Sequence, residues 1–222
     1  MCAKGKLIVI DGLDGSGKTT QMKLLSERLS ASGQAVLEVK FPDYSSPSSA
    51  LVQMYLNGEI AQDPTQVNPY AASAFYASDR YISYYKKYAS AYQKGKTLLC
   101  DRYVGSNAIY QMPKLPRTEW NTYLQWLYDF EFGKLALPRP DMMLYLDMLP
   151  EVSAGLLMKR YQGHAEKKDI HERNLQFLQQ CREAALFAAQ ADGWKIIRCC
   201  DGIRPLPIAV IAEKIDEALA EN

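Results

Sequence analysis

Five short apolar runs set the rhythm of this chain: Leu7–Ile10, Ala35–Val39, Thr97–Cys100, Met142–Leu146 and Trp194–Arg198. Each is nearly continuous in hydrophobicity rather than alternating, as expected of parallel strands covered on both faces. Between them, residues 18–32, 48–57, 69–93, 118–134, 151–190 and 206–219 repeat their apolar positions at helical spacing. Asn68-Pro69 suits a helix start, because proline at the first helical position lacks an N–H that would have no partner there anyway. Strand and helix alternate to the end, so the pattern predicts an α/β fold with a doubly wound, five-stranded parallel sheet. No internal repeat, low-complexity tract or linker interrupts it, and Ser45-Ser46-Pro47-Ser48-Ser49 reads as a substrate loop or helix cap. One domain over residues 1–222 is expected.

Composition narrows the setting. With 222 residues, 48% hydrophobic and 23% charged, the chain has ample material for a buried core. A net charge of +1 gives no global field to attract nucleic acid or a membrane surface, so anion binding must come from local cations. The five cysteines are odd in number, irregularly spaced and without a zinc pattern, which predicts reduced, mostly buried thiols. An apolar strand begins almost at once, leaving no room for a cleavable signal, and no run approaches membrane-spanning length. The expectation is a cytoplasmic protein with neither a nucleic-acid nor a membrane partner.

In such a sheet, ligands bind beyond the carboxyl ends of the strands. The first strand end carries Gly12-Leu13-Asp14-Gly15-Ser16-Gly17-Lys18-Thr19, which fits G-x-x-x-x-G-K-[ST] in the required strand–loop–helix setting. Glycines let backbone N–H groups turn inward around a phosphate, and the helix N-terminus adds partial positive charge. Lys18 can reach the β- and γ-phosphates, and the Thr19 hydroxyl can ligate Mg²⁺. The motif predicts a nucleoside triphosphate site built from Gly12, Asp14, Gly15, Ser16, Gly17, Lys18, Thr19 and Thr20.

Three further signals follow. Asp101 ends the third apolar run, where a carboxylate near the metal is usual, and Arg102 stands where a water-activating ATPase commonly has glutamate. A cation there suits a second phosphate; a structural Asp101–Arg102 ion pair is the alternative. Tyr76 and Arg80 lie four apart and share a helix face, offering a flat ring beside a planar donor fork. Tyr81, Tyr84, Tyr85 and Tyr88 continue the same stretch and read as an aromatic core stripe. Finally, Lys159–Asp169 is basic and glycine-interrupted, either a mobile lid carrying charge onto a triphosphate or a solvated loop. His164 and His171 have nothing beside them that marks a nucleophile or relay.

The phosphate loop with its internal Asp14, Phe41-Pro42 after the second run, Phe75-Tyr76-Ala77-Ser78-Asp79-Arg80, Asp101-Arg102-Tyr103, and a lid segment ending in Asp169-Ile170-His171-Glu172 come in a telling order. In these markers, and over essentially its whole length, the chain resembles the thymidylate kinases, enzymes that phosphorylate dTMP. The resemblance implies a three-layer phosphate-loop kinase fold with a mobile lid over about 159–172. It implies transfer of the γ-phosphoryl group of ATP to the 5′-phosphate of dTMP, with Mg²⁺ at Thr19 and Asp101, and a homodimer. Lys18, Arg102, Asp14 and Arg160 would be catalytic. Asp14 would contact the acceptor sugar or the arriving phosphates, Phe41 would line the pocket, Tyr76 would stack on thymine and Arg80 would read the base. Arg102 would hold the acceptor phosphate, Ser106 would belong to the substrate site, and Tyr110 and Gln111 would pack on sugar and base.

Two departures from the family pattern stand out. Gly15 replaces the arginine that often follows the loop aspartate; members lacking it use lid cations, here Arg160, Lys167 and Lys168 on the ATP side. Tyr44 stands where an arginine often follows Phe-Pro, so Tyr44 or nearby serines would supplement Arg102. The nearest rival is a kinase for another nucleoside monophosphate or a nucleoside. A GTP-dependent switch would carry N-K-x-D, and no Asn-Lys dipeptide occurs in the chain. A nucleotide-binding regulatory paralogue is the third reading.

Overall fold

The apolar runs become strands because residues with nothing to solvate can be covered from both sides. In the computed structural model, which describes residues 4–160 and 174–221, they form β1 (Leu7–Gly12), β2 (Val36–Lys40), β3 (Thr97–Asp101), β4 (Met142–Asp147) and β5 (Lys195–Arg198). All pairings are parallel and the order is β2-β3-β1-β4-β5. The three central strands are buried along their whole length, whereas β2 and β5 at the edges are partly open. Ile10 pairs with Asp101 on one side and with Leu144 on the other. That register brings the carboxyl ends of β1 and β3 together, and with them Gly12 and Arg102.

Alternation along β1 sorts the core into two layers. Leu7 and Val9 join a cluster with Ala108 of α5 (Gly105–Tyr110), Leu127 of α6 (Trp120–Tyr128) and Ala185 of α8 (Leu175–Asp192). Ile8 and Ile10 pack on the opposite face against Met22 and Leu25 of α1 (Lys18–Ala31) and Ile211 and Ile215 of α9 (Ile208–Ala220). Helix, sheet and helix give the three layers expected. Cys100, Cys181 and Cys199 are buried free thiols, and no described helix is long and apolar enough to cross a membrane.

The helical stretches hold with local changes. Residues 69–93 form α3 (Pro69–Ser83), a wider π-helical turn over Tyr84–Tyr88, and α4 (Ala89–Gln93). Asn68 caps α3, its Oδ1 accepting from the N–H groups of Tyr70 and Ala71. Residues 48–57 reduce to α2 (Ala50–Leu56), and 118–134 to α6 followed by a second π-helical turn over Asp129–Lys134. The stretch 151–190, expected to be helical on either side of the lid or loop at Lys159–Asp169, holds α7 (Pro150–Arg160) and α8, the latter capped by Asn174 Oδ1 accepting from Phe177 N at 3.0 Å. Most of the lid expected over about 159–172, including Lys167, Lys168, His164 and His171, lies outside the described residues. Helix α5 had no counterpart in the pattern, since six residues are too few to show a helical period.

Candidate active site

The loop between β1 and α1 is shaped by glycine. Gly12, Gly15 and Gly17 have φ of 154°, 80° and 91°, a conformation that residues with a Cβ rarely adopt. Gly17 caps α1 in the left-handed conformation, so the first N–H groups of this 14-residue helix face the loop, as an anion site needs. Lys18, buried at the first helical position, reaches back across the loop mouth and donates to Gly12 O at 3.0 Å and Leu13 O at 2.9 Å. Burial and the neighbouring Arg102 depress its pKa. Ser16 is buried inside the loop, while Thr19 and Thr20 stand exposed on the first turn.

Gly15 has a second reason to be glycine. A Cβ there would lie 2.8 Å from Ser153 O and 3.0 Å from Leu157 Cγ, because α7 leans directly on the phosphate loop. The missing loop arginine is therefore a packing consequence: no side chain fits without moving α7. Gly15→Ala is expected to cost about 2 kcal/mol of stability, from the left-handed backbone and the clash together. Urea denaturation measures this, and a cost below about 0.5 kcal/mol would mean that α7 yields freely.

Arg102, immediately beyond β3, is itself left-handed, with φ 70°. A non-glycine residue in that region is costly and is found where surroundings enforce it. Its Nη2 donates to Asp14 Oδ1 at 2.5 Å, and Tyr110 OH donates to Asp14 Oδ2 at 3.1 Å. The Arg102 guanidinium also lies over the Tyr110 ring, 5.2 Å from its centroid. Asp14 stands 3.8 Å from Lys18 Nζ, so one carboxylate bridges the loop lysine and the strand-end arginine. Burial pushes the Asp14 pKa upward, but Arg102 and then Lys18 outweigh it and hold the group well below the usual carboxylate range.

Beside this triad opens a cleft lined by Asp14, Pro42, Tyr44, Leu56, Tyr76, Arg102, Ser106, Asn107, Tyr110 and Gln111. Arg102 is the one cation among these lining residues. Gln111 is fully buried, and both polar atoms of its amide lack a hydrogen-bond partner among the described residues. A buried amide left open on a cleft wall is a ready ligand-reading group. Tyr44 is half exposed at the rim on a loop tied to α3: Asp43 N donates to Asp79 Oδ2 at 2.8 Å, and Asp43 pairs with Lys87. A small recess shares the walls Pro42, Tyr76, Arg102 and Ser106 and adds Phe41, Asp79 and Arg80.

Two expected residues stand on the recess rather than on the cleft itself. Phe41 is buried against Tyr88 and Tyr103 and reaches only the recess. Arg80 is anchored along one edge: Nε and Nη2 donate to the two Glu131 carboxylate oxygens, each at 2.6 Å, with both side chains almost fully buried. Only Nη1, 3.4 Å from Tyr103 O, remains on the recess side. Asn107 was not anticipated. Its Nδ2 donates to Ser73 O and Glu131 Oε1, leaving the amide oxygen as an acceptor on the cleft wall.

Asp101 is buried, its Oδ1 without a partner among the described residues. An unpartnered carboxylate oxygen at a strand end, near enough to Lys18 to act on its charge, fits a hard, oxygen-seeking cation such as Mg²⁺. Arg160 ends α7 at the edge of the described residues.

The thymidylate kinase family description matches residues 10–204. A thymidylate kinase of Mycobacterium tuberculosis is 32% identical over 196 residues, covering 85% of this chain and 87% of its own. That of Caenorhabditis elegans is 36% identical over 162 residues, covering 68% and 66%. A solved thymidylate kinase from Candida albicans superposes with a TM-score of 0.72 at 23% identity, over 100% of this chain and 94% of its own, a likeness of fold.

Proposed function

The chain belongs to the thymidylate kinase family and transfers the γ-phosphoryl group of ATP to dTMP, and from that premise we propose how its side chains divide the work. The observation that carries the reading is Asp14 bridging Lys18 and Arg102. A donor phosphate on Lys18 and an acceptor phosphate on Arg102 would meet one carboxylate's width apart, in line for transfer.

An acceptor phosphate is already anionic, so no strong base is required. The difficulty is repulsion: two unit charges about 4 Å apart repel by about 1 kcal/mol in water, and by about 4 kcal/mol at an effective dielectric of 20. Lys18 and the α1 N-terminus neutralise the donor, and Arg102 the acceptor. Thr19 and Asp101 would hold Mg²⁺, which would supply further charge neutralisation on the donor phosphates. Because Gly15 offers no side chain, Arg160, Lys167 and Lys168 are left to serve the transferring group. Tyr76 offers a ring to thymine, Asn107 and Gln111 their amides to its polar edge, and Tyr110 bears on the sugar, where its bulk favours deoxyribose.

Assaying ADP release with dTMP, dUMP, dCMP, dGMP and thymidine tests the acceptor assignment; thymidine outpacing dTMP would overturn it. Arg102→Ala is expected to lower kcat/KM for dTMP about 100-fold, a little under 3 kcal/mol, by deleting a charge-assisted contact. An unchanged value would remove Arg102 from the acceptor site. We propose a homodimer through the exposed Tyr81, Ile82 and Tyr85 of α3 and its following turn, and light scattering at one chain's mass would contradict it. The buried free thiols favour a cytoplasmic, reducing setting.

A further inference from the structure

Asp11, between Ile10 and the phosphate loop, is fully buried and has no part in the scheme above. Its two oxygens do different things. Oδ1 accepts from Gly12 N at 2.8 Å and faces Arg102 Nη1 at 3.4 Å. Oδ2 accepts from the Ser106 hydroxyl at 2.7 Å. Arg102 Nη1 also lies 3.4 Å from Gly12 O and from Ser106 Oγ, so one edge of the guanidinium rests in a cradle that Asp11 organises. The other edge, Nη2, faces Asp14 at the cleft. Lys18 and Tyr145, across from Asp11 in the β1–β4 register, complete its charged and titratable surroundings. Burial raises its carboxyl above the usual range, and Arg102, Ser106 and Lys18 pull it back.

We propose that Asp11 is the positioning residue for Arg102: it fixes the Nη1 edge from behind, so that an acceptor phosphate can take the place of Asp14 at Nη2 without the guanidinium turning away. This rests on the assignment of Arg102 to the acceptor phosphate. Without Asp11, Asp14 would be the one carboxylate left in ion-pair contact with Arg102 among the described residues, and the guanidinium would fold toward it, closing the phosphate site.

Charge and positioning predict opposite signs. Removing a carboxylate near an anion site should, on charge alone, tighten dTMP binding; loss of positioning should weaken it. The test is a double-mutant cycle with Asp11→Asn and Arg102→Ala, reading dTMP and ATP affinity by calorimetry together with kcat and KM. Asp11→Asn is expected to weaken dTMP binding about 10-fold with ATP affinity within about 2-fold, and to add less than about 2-fold once Arg102 is gone. Unchanged or tighter dTMP binding, or an equal loss with and without Arg102, would overturn the inference. An Arg102→Ala variant that binds dTMP normally would instead overturn the acceptor assignment itself. Should Asp11→Asn fail to fold, Asp11→Ser, which removes the carboxylate facing Nη1, enters the same cycle. A loss confined to dTMP and abolished by Arg102→Ala supports the proposal, and additive losses refute it.

Discussion

Lys18→Ala is expected to lower kcat/KM with dTMP at least about 1,000-fold, about 4 kcal/mol of transition-state stabilisation, with little change in folding. The two effects separate because of where the ammonium sits. It is buried, bridging two loop carbonyls and facing Asp14, while burial and the neighbouring Arg102 both work against its charge in the folded chain. The fold thus loses modest hydrogen bonds, whereas the transferring phosphoryl loses a cation that nothing else on the loop supplies, since Gly15 carries no side chain. Steady-state ADP release beside a thermal melt measures both. A variant keeping more than about a tenth of wild-type efficiency would show that the donor charge is neutralised elsewhere.

Glu131→Ala should do the reverse and strike the fold, by about 3–5 kcal/mol. Glu131 accepts both of the short Arg80 bonds and one from Asn107, with the ion pair almost wholly out of water. Truncating it leaves a buried guanidinium without its counter-ion and frees the amide that shapes the cleft wall. Urea unfolding is the measurement, and a loss below about 1 kcal/mol would mean that Arg80 finds another partner. Broken pairs of this kind cost far more than surface ones, whose contributions are typically about 0–1 kcal/mol.

What the chain reveals before folding depends on distance along it. The strands are legible because continuous apolar runs have few other uses, and the phosphate loop because its chemistry is local: glycines, lysine and threonine within eight residues. Arg102 is legible as a departure from the water-activating pattern. The partner of Arg80 is not, because Glu131 lies 51 residues away in a stretch that reads as apolar helix. Asn107 and Asp11 escape for related reasons: one sits on a helix too short to show a period, the other looks like the end of a strand. Gly15 is visible as a missing arginine, but its cause, the backbone of α7, belongs to an element some 140 residues on.

That contact between Gly15 and α7 makes the donor cradle a floor with a beam resting on it. Ser153 and Leu157 touch the loop, and the same helix runs on to Arg160. A tilt of the beam must either lift off the floor or bend it, so the grip on ATP and the reach of whatever α7 carries are mechanically one adjustment. Enlarging or trimming Leu157, a residue that lines neither the cleft nor the recess, would then register first as a changed appetite for the donor.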